Sequence, residues 1–369
     1  MPQNKILIAG ASGLVGQAAV EHFASLPAWE VVGVSRRKPV TDANATFLSI
    51  DLTDREACQR AFGQMGDVTH VVYAALQEDP GLMPGWLDPT LMERNLAMLR
   101  NLFDPLLEVA AGLQHVSLMH GTKAYGLHHP AVASRVKVPL REREPRLDHP
   151  NFYFLQEDYL RGRQAAATWA MTVFRPTVIY GGAAGNNMNP ILPIAVYAAL
   201  LKDAGEPLHF PGTGSTPNLH EAVDAELVAR ALAWAATSDA ARNETFNLTN
   251  GDVFLWSGVW PAIAGALGME AGESRPTSLA EELPKRQAQW AALVEKHRLA
   301  ANPDLVTFVG QNSLIYTDMV LGRWTRPGIP YLNSTIKARQ AGFHYCIDTE
   351  DMFVKWLRRL QQERLIPLA

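Results

Sequence analysis

A phenol can exchange a proton with a reacting oxygen when an ammonium beside it lowers its pKa. The compact way to build that pair puts a lysine four residues after a tyrosine on one helix. Two tyrosines invite the test and both fail it: the fourth residue after Tyr153 is Glu157, and after Tyr159 it is Arg163. An ammonium has to come from elsewhere in the chain. The run Ser117-Leu118-Met119-His120-Gly121-Thr122-Lys123-Ala124-Tyr125-Gly126 offers one, with Lys123 just beyond an apolar strand pattern. In open parallel sheets, ligands gather outside that carboxyl end of the strands.

A second set of residues could hold a dinucleotide. Gly10-Ala11-Ser12-Gly13-Leu14-Val15-Gly16 stands between a short apolar run and an amphipathic stretch. Gly10 permits a tight turn, Gly13 lets the backbone approach a pyrophosphate, and Gly16 permits close packing of helix on strand. The N-terminus of the following helix adds N–H donors and a positive dipole end. Three glycines alone are weak evidence; after a strand and at the head of a helix they are strong.

The end of the next strand selects between the two nicotinamide cofactors. A site for NAD usually carries an acid there, about 20 residues beyond the glycines, for the ribose hydroxyls. Here the residues are Ser35, Arg36, Arg37 and Lys38. Two guanidinium groups suit a 2′-phosphate, so the turn favours NADPH over NADH; a solvated basic turn is the alternative. Asp51 and Leu52 follow a third strand-like segment, where an adenine ring would lie. Ala74 and Ala75 end a fourth strand with small side chains that leave room for a ribose. Each of these pairs also reads as an ordinary strand end.

The elements that must position these groups alternate along the chain. Lys5–Ala9, Glu30–Val34, Val68–Ala75, Leu113–Met119 and Met171–Phe174 are short apolar runs of the kind buried in parallel sheets. Helical patterns at Gly13–Leu26, Pro89–Val109 and Asp158–Ala170 separate them. Alternation of this kind predicts an α/β fold with a doubly wound parallel sheet of the Rossmann type. After Gly181 the composition changes. Gly and Asn crowd 182–189, Pro190, Pro193 and Pro207 follow, and Met319–Leu332 with Trp324 reads as an irregular loop. The expected division is a Rossmann domain over 1–182, with 213–250 returning to it. A smaller, mostly helical substrate-binding cap takes 183–212 and 251–369, and the cleft lies at the carboxyl ends of the strands.

At Gly121-Thr122-Lys123-Ala124-Tyr125-Gly126 and Asn151-Phe152-Tyr153-Phe154-Leu155-Gln156-Glu157-Asp158 the chain resembles the progesterone 5β-reductase/iridoid synthase-like enzymes. These are atypical short-chain dehydrogenases/reductases that use NADPH to reduce the carbon–carbon double bond of 1,4-enones. The resemblance continues through Asn247–Trp256 with Trp260, through Ala341-Gly342-Phe343, and through Trp356–Pro367, so it spans nearly the whole chain. It implies that Lys123 and Tyr153 are the catalytic pair and that Arg36 and Arg37 hold the cofactor phosphate. It also implies a hydride addition to the β-carbon of a small enone, with the charge on the carbonyl oxygen met by Tyr153 and supported by Lys123. Arg175-Pro176-Thr177-Val178-Ile179-Tyr180-Gly181 is similar to the segment against the nicotinamide in extended short-chain enzymes, which assigns Pro176 and Val178 to the cofactor. Phe152, Asn187, Met188 and Phe343 are candidates for the substrate side, with Trp324. The departures, Met119-His120 for Gln-Thr and Ala124 for a larger residue, fall on the pocket rather than on the chemistry.

Other readings stay open. An extended short-chain epimerase or dehydratase has the same fold but normally needs the Tyr-x-x-x-Lys pair that Glu157 breaks. A carbonyl reductase would use the same scaffold, and a non-catalytic NADPH-binding regulator would need neither Tyr153 nor Lys123. No metal site is expected: His128-His129 reads as a solvated loop pair, and His220-Glu221 meets Asp224 where a zinc motif needs its second histidine. Trp256 and Trp260, four apart, read as core. The 369 residues are 47% hydrophobic and 19% charged with a net charge of −4, which suits a globular enzyme and gives no reason to expect nucleic acid or an anionic membrane. Two cysteines make no disulfide framework. With no leader pattern before Lys5 and no long uncharged apolar run, the expected compartment is the cytoplasm, and a homodimer would be ordinary for the fold.

Overall fold

The computed structural model describes residues 4–212, 218–322 and 331–369. Trp324 lies outside them. The described residues hold eleven strands: β1 Asn4–Ala9, β2 Trp29–Ser35, β3 Thr46–Ser49, β4 His70–Tyr73, β5 His115–Met119, β6 Ala170–Pro176, β7 Ile179–Tyr180, β8 Leu208–Phe210, β9 Val223–Asp224, β10 Thr245–Leu248 and β11 Ala271–Ser274. Seven of them form one sheet in the order β10-β6-β5-β4-β1-β2-β3, and every pairing in it is parallel. The order turns back between β1 and β4, so the crevice of a doubly wound sheet opens above Ala9 and Tyr73, which are register partners. β1, β4 and β6 are apolar on both faces because helices cover both sides of the sheet.

The first helices are α1 Leu14–Ala24, α2 Arg55–Phe62, α3 Pro89–Val109 and α4 Phe152–Gln164. The expected helix over Asp158–Ala170 is therefore displaced toward the N-terminus. The Asn151 side chain accepts from the Tyr153 N–H at 3.0 Å and opens the helix there, an N-cap that periodicity alone overlooks. At the other end Ala170 already belongs to β6. On the other face of the sheet, α6 Ala225–Thr237 packs on α1 after α5 Ile191–Asp203.

Beyond β10 the chain is mostly helical: α7 Trp256–Ala266, α8 Leu279–Glu282, α9 Gln287–Lys296, α10 Leu305–Val309, α11 Gln311–Val320, α12 Ile336–Gln340 and α13 Thr349–Gln362. α5 is the hub of this half and is buried from Ile191 to Leu201. Trp256 and Trp260 pack beside it with Phe353 and Leu208, so both are core residues. Asp224 joins the two halves: it caps α6 through the Glu226 N–H, receives the Trp356 indole N–H at 3.1 Å, and pairs with Lys355. Residues 338–343 pack on the sheet side, where Phe343 meets Trp234 at 5.4 Å in the cluster that holds Phe246. Phe343 is thus a core residue away from the cleft, which corrects its expected place on the substrate side.

Among the described residues no helix is long and apolar enough to cross a membrane.

Candidate active site

The carboxyl ends of β1, β2, β4, β5 and β6 border a cavity of about 770 Å³. Gly10, Ser12, Gly13, Leu14 and Val15 form one wall, Ser35, Arg36, Arg37, Asp51 and Leu52 the next, and Ala74 and Ala75 the floor. Lys123, Phe152, Tyr153, Pro176 and Val178 line it too, as do Asn187 and Met188, which follow Gly185 and Asn186 beside Arg37 and the glycine turn. Gly16 does not reach the cavity. It sits behind the turn, where a Cβ would stand 2.0 Å from the Gly10 carbonyl oxygen. Gly10 itself has φ +85° and its own Cβ would meet the Ala74 carbonyl at 2.7 Å. The turn and the helix behind it therefore close to contact only without side chains. The first N–H groups of α1 have no carbonyl one turn back to receive them, and Leu14 and Val15 present theirs at the cavity wall. Bare backbone, a helix N-terminus and two arginines fit a phosphorylated dinucleotide.

The basic turn is held by its own hydrogen bonds. The Ser35 hydroxyl donates to the Arg37 carbonyl at 2.6 Å, and the Ser49 hydroxyl to the Arg36 carbonyl at 3.0 Å. The Arg37 guanidinium reaches across the cleft to the Gly185 carbonyl at 3.0 Å. Gly185 opens the segment carrying Asn187 and Met188, and Met188 has φ +56°, a left-handed conformation unusual for its side chain.

Tyr153 comes from the first turn of α4 and Lys123 from the helical turn after β5. The two segments are tied together, since the Asn151 side-chain amide donates to the Lys123 carbonyl at 2.9 Å. The Tyr153 ring is clasped between His120, stacked at 4.5 Å and 15°, and Phe152 at 4.4 Å. Its hydroxyl faces Gly121, where a Cβ would stand 3.2 Å from the oxygen. Lys123 Nζ lies 5.8 Å from the centroid of the Tyr153 ring.

The expected lowering of the phenol pKa by an ammonium does not occur here. Burial pushes the Tyr153 hydroxyl well above its ordinary range, with the Glu78 carboxylate adding to the shift. Lys123 does not offset the burial, and it is itself paired: its Nζ lies 3.4 Å from Glu78 Oε1. Burial lowers Lys123 and the Glu78 charge works against that. Tyr153 thus keeps its proton at neutral pH and is suited to donate. Glu157, at the position a lysine would take, is buried and gripped by Arg146 at 2.9 Å and Arg161 at 2.7 Å.

Several lining residues carry no sequence signal of their own. Trp86 lies in the segment after β4 and Tyr316 in α11; Glu78, also after β4, stands behind the lining and reaches it only through Lys123 and Trp86. His128 is not a solvated loop residue. It packs edge-on to Trp86 at 6.2 Å and to His149 at 5.5 Å and borders the cavity, because the turn after Gly126 folds inward. Glu221 also borders it, accepting from the Asn333 backbone N–H at 2.9 Å and its side-chain amide at 2.6 Å.

Burial raises the Glu221 carboxyl to about 7 against those donors, from an ordinary 4.5. The native state therefore binds a proton that the unfolded chain has released between about pH 4.5 and 7, and stability falls as pH rises through that window. Melting at pH 5 and at pH 8 checks this. The wild type should lose more stability between the two than Glu221→Gln, and equal losses would refute it.

The comparisons with known proteins agree with this geometry. Residues 6–249 match the model of the NAD dependent epimerase/dehydratase family. The chain is 31% identical to an (S)-8-oxocitronellyl enol synthase of Camptotheca acuminata, over 99% of this chain and 94% of that protein. It is 30% identical to the 3-oxo-Delta(4,5)-steroid 5-beta-reductase of Arabidopsis thaliana, with the same two coverages. Among solved structures, a UDP-glucose 4-epimerase of Thermotoga maritima superposes with a TM-score of 0.66 at 16% identity, covering 97% of this chain and 99% of that one. The Bifidobacterium longum UDP-glucose 4-epimerase, in complex with NAD+ and UDP, does so at 0.64 and 15%, covering 98% of each. At such identity these two speak for the fold. A nicotinamide-binding crevice, an unorthodox Lys and Tyr on its rim, and full-length likeness to reductases make the chain an oxidoreductase: it belongs to the NAD dependent epimerase/dehydratase family and, within it, to the progesterone 5β-reductase/iridoid synthase-like group of atypical short-chain enzymes.

Proposed function

We propose that this protein is an NADPH-dependent reductase of the carbon–carbon double bond of 1,4-enones. The observation that carries the reading is the pairing of a proton-bearing Tyr153 hydroxyl with the Lys123 ammonium on one cavity, while the usual lysine position holds a clamped Glu157. The names of two relatives fit it. One acts on a 3-oxo-Δ4,5-steroid, a conjugated enone, and the other is named for an enol, which is what hydride addition to an enone yields.

Gly10, Gly13, Leu14 and Val15 would hold the pyrophosphate, Arg36 and Arg37 the 2′-phosphate, and Pro176 and Val178 the nicotinamide side. When bound, the cofactor supplies a hydride to the substrate β-carbon. As that bond forms, the π electrons of the double bond move toward the carbonyl, and negative charge collects on its oxygen. Tyr153, itself buried, would donate its hydrogen bond to that oxygen, and a donor held in place where the charge develops needs no reorganisation to meet it. A proton from solvent then adds to the α-carbon of the enolate and gives the saturated ketone. Lys123 adds positive charge near the developing oxyanion and is placed to meet a ribose hydroxyl.

The far end of the cavity supports an apolar carbonyl substrate. Met83, Trp86, Leu87, Phe152, Leu219 and Val320 line it, and among the described residues the only lining arginines are Arg36 and Arg37 at the opposite end. A nucleotide-sugar, which an epimerase must hold by its diphosphate, finds no guanidinium there.

The test is to incubate the protein with NADPH and a panel of small and large 1,4-enones and to identify the product. A saturated ketone supports the proposal. An allylic alcohol makes the protein a carbonyl reductase. Tight NADPH binding without turnover of any enone would favour an epimerase or a non-catalytic regulator. Cofactor choice is checked with Arg36→Ala/Arg37→Ala, for which KM for NADPH should rise about 10²–10⁴-fold, since charge-assisted hydrogen bonds are each worth ~1.5–3 kcal/mol. KM for NADH should stay within about twofold, and a parallel rise in both would remove the arginines from phosphate recognition.

A further inference from the structure

Glu78 has no part in the sequence patterns of the site and does not line the cavity, yet its carboxylate stands directly behind Lys123, which does. It follows β4 on the loop over the cavity, and its side chain is 1% exposed. One oxygen, Oε1, receives both the Lys123 ammonium at 3.4 Å and the Trp86 indole N–H at 3.3 Å. The indole ring in turn lies under the same ammonium, 4.3 Å from Nζ to the centroid. Lys123, Glu78 and Trp86 thus form a closed triangle in which each member touches the other two. A carboxylate that deep needs partners, and among the described residues these are the two it has.

We propose that Glu78 is a positioning residue for Lys123: together with Trp86 it fixes where the ammonium stands beside Tyr153 and balances its charge within the buried site. The role rests on the reading above, in which Lys123 takes part in the reduction, and adds to it a group that touches neither substrate nor cofactor.

Without Glu78 the four-carbon stem of Lys123 has nothing but an aromatic face to hold its end, and burial acts on the ammonium unopposed. Desolvation disfavours the charged form of lysine, and an anion within hydrogen-bonding distance favours it. The other titratable groups turned toward the pair do not replace that anion. Asp79 is taken by Arg94 at 3.4 Å. His128 is held neutral by burial, with Lys123 adding to the shift. Tyr153 keeps its proton, and Tyr316, buried beyond it, does the same. Removing the Glu78 charge therefore moves the Lys123 midpoint down, and activity that needs the ammonium fails at a lower pH than in the wild type.

Protein labelled with 13Cε-lysine, free of cofactor, gives the direct readout, with the Lys123 signal assigned by its loss in Lys123→Arg. The midpoint in Glu78→Gln should lie about 1–3 pH units below that of the wild type. The alkaline limb of kcat should move by the same amount, and kcat at neutral pH should fall while the melting temperature and KM for NADPH stay close to wild type. Should Glu78→Gln fail to fold, the coupling is read from the other side: in Lys123→Met, 13Cδ-glutamate labelling should show the Glu78 carboxyl titrating higher by a similar amount. An unchanged midpoint in either variant overturns the proposal, as does a kcat that rises in Glu78→Gln, which would make the pair a brake. If the wild type reduces no enone, the assigned reaction fails, but the lysine titration still decides whether Glu78 governs Lys123.

Discussion

Replacing Tyr153 by Phe should lower the turnover of a 1,4-enone by about 10²–10³-fold, the usual cost of removing one oxyanion donor, while leaving the fold intact. The two effects separate because of where the hydroxyl lies. It lies against Gly121 and makes no hydrogen bond to the described residues. Its loss leaves no buried partner unsatisfied, and such a change costs on the order of 1 kcal/mol or less. The ring, which His120 and Phe152 hold, stays in place in the variant. Steady-state kinetics beside thermal melting decides the matter. A variant that keeps half its turnover would remove Tyr153 from the chemistry, and one that melts far below the wild type would make its role structural.

Gly16→Ala should damage both the fold and the cofactor cradle. In an ordinary helix interior this change stabilises by ~1 kcal/mol, because alanine gives up less backbone freedom. Here the new methyl would stand 2.0 Å from the Gly10 carbonyl oxygen, 2.6 Å from its carbon and 2.9 Å from the Ala11 Cα, all backbone. Overpacking typically costs ~1–3 kcal/mol even where flexible side chains can yield, which outweighs the gain. The relief available is for α1 to draw away from the turn at 10–13, and that opens the cradle meant for the pyrophosphate. A fall in melting temperature of several degrees together with a loss of NADPH affinity of about 100-fold is expected, followed by calorimetry and by cofactor fluorescence. Wild-type affinity in a destabilised variant would mean that the cradle tolerates the shift.

What could be read from the chain alone follows from range in sequence. The cofactor wall is local: strand, glycine turn and helix are contiguous, and the basic turn ends the next strand, so Gly10 to Gly16 and Arg36-Arg37 announce themselves. Lys123 and Tyr153 could be named because each sits in a distinctive run, and the structure brings the two runs to one cavity. Glu78 could not be named, since a single acid in Gln77-Glu78-Asp79-Pro80 is indistinguishable from a solvated loop until Trp86 and Lys123 close around it. Tyr316 and Glu221 arrive from distant segments and leave no spacing to detect. The displaced start of α4 has a different cause: a side-chain cap at Asn151 decided the boundary, whereas hydrophobic periodicity reports only the buried stripe. Phe343 misled for a related reason. An aromatic residue in a segment shared with a family can serve packing as well as binding, and here Trp234 claims it.

The reach of Arg37 to the Gly185 carbonyl bears on kinetics. Under the proposed NADPH reading, a guanidinium engaged with the Gly185 carbonyl would share its donors with the 2′-phosphate, which couples the segment carrying Asn187 and Met188 to cofactor occupancy. Ordered addition with cofactor first is the expected result of that coupling. Product inhibition checks it: oxidised cofactor should compete with reduced cofactor for the free protein and the saturated product should not, and competition by both would refute the order.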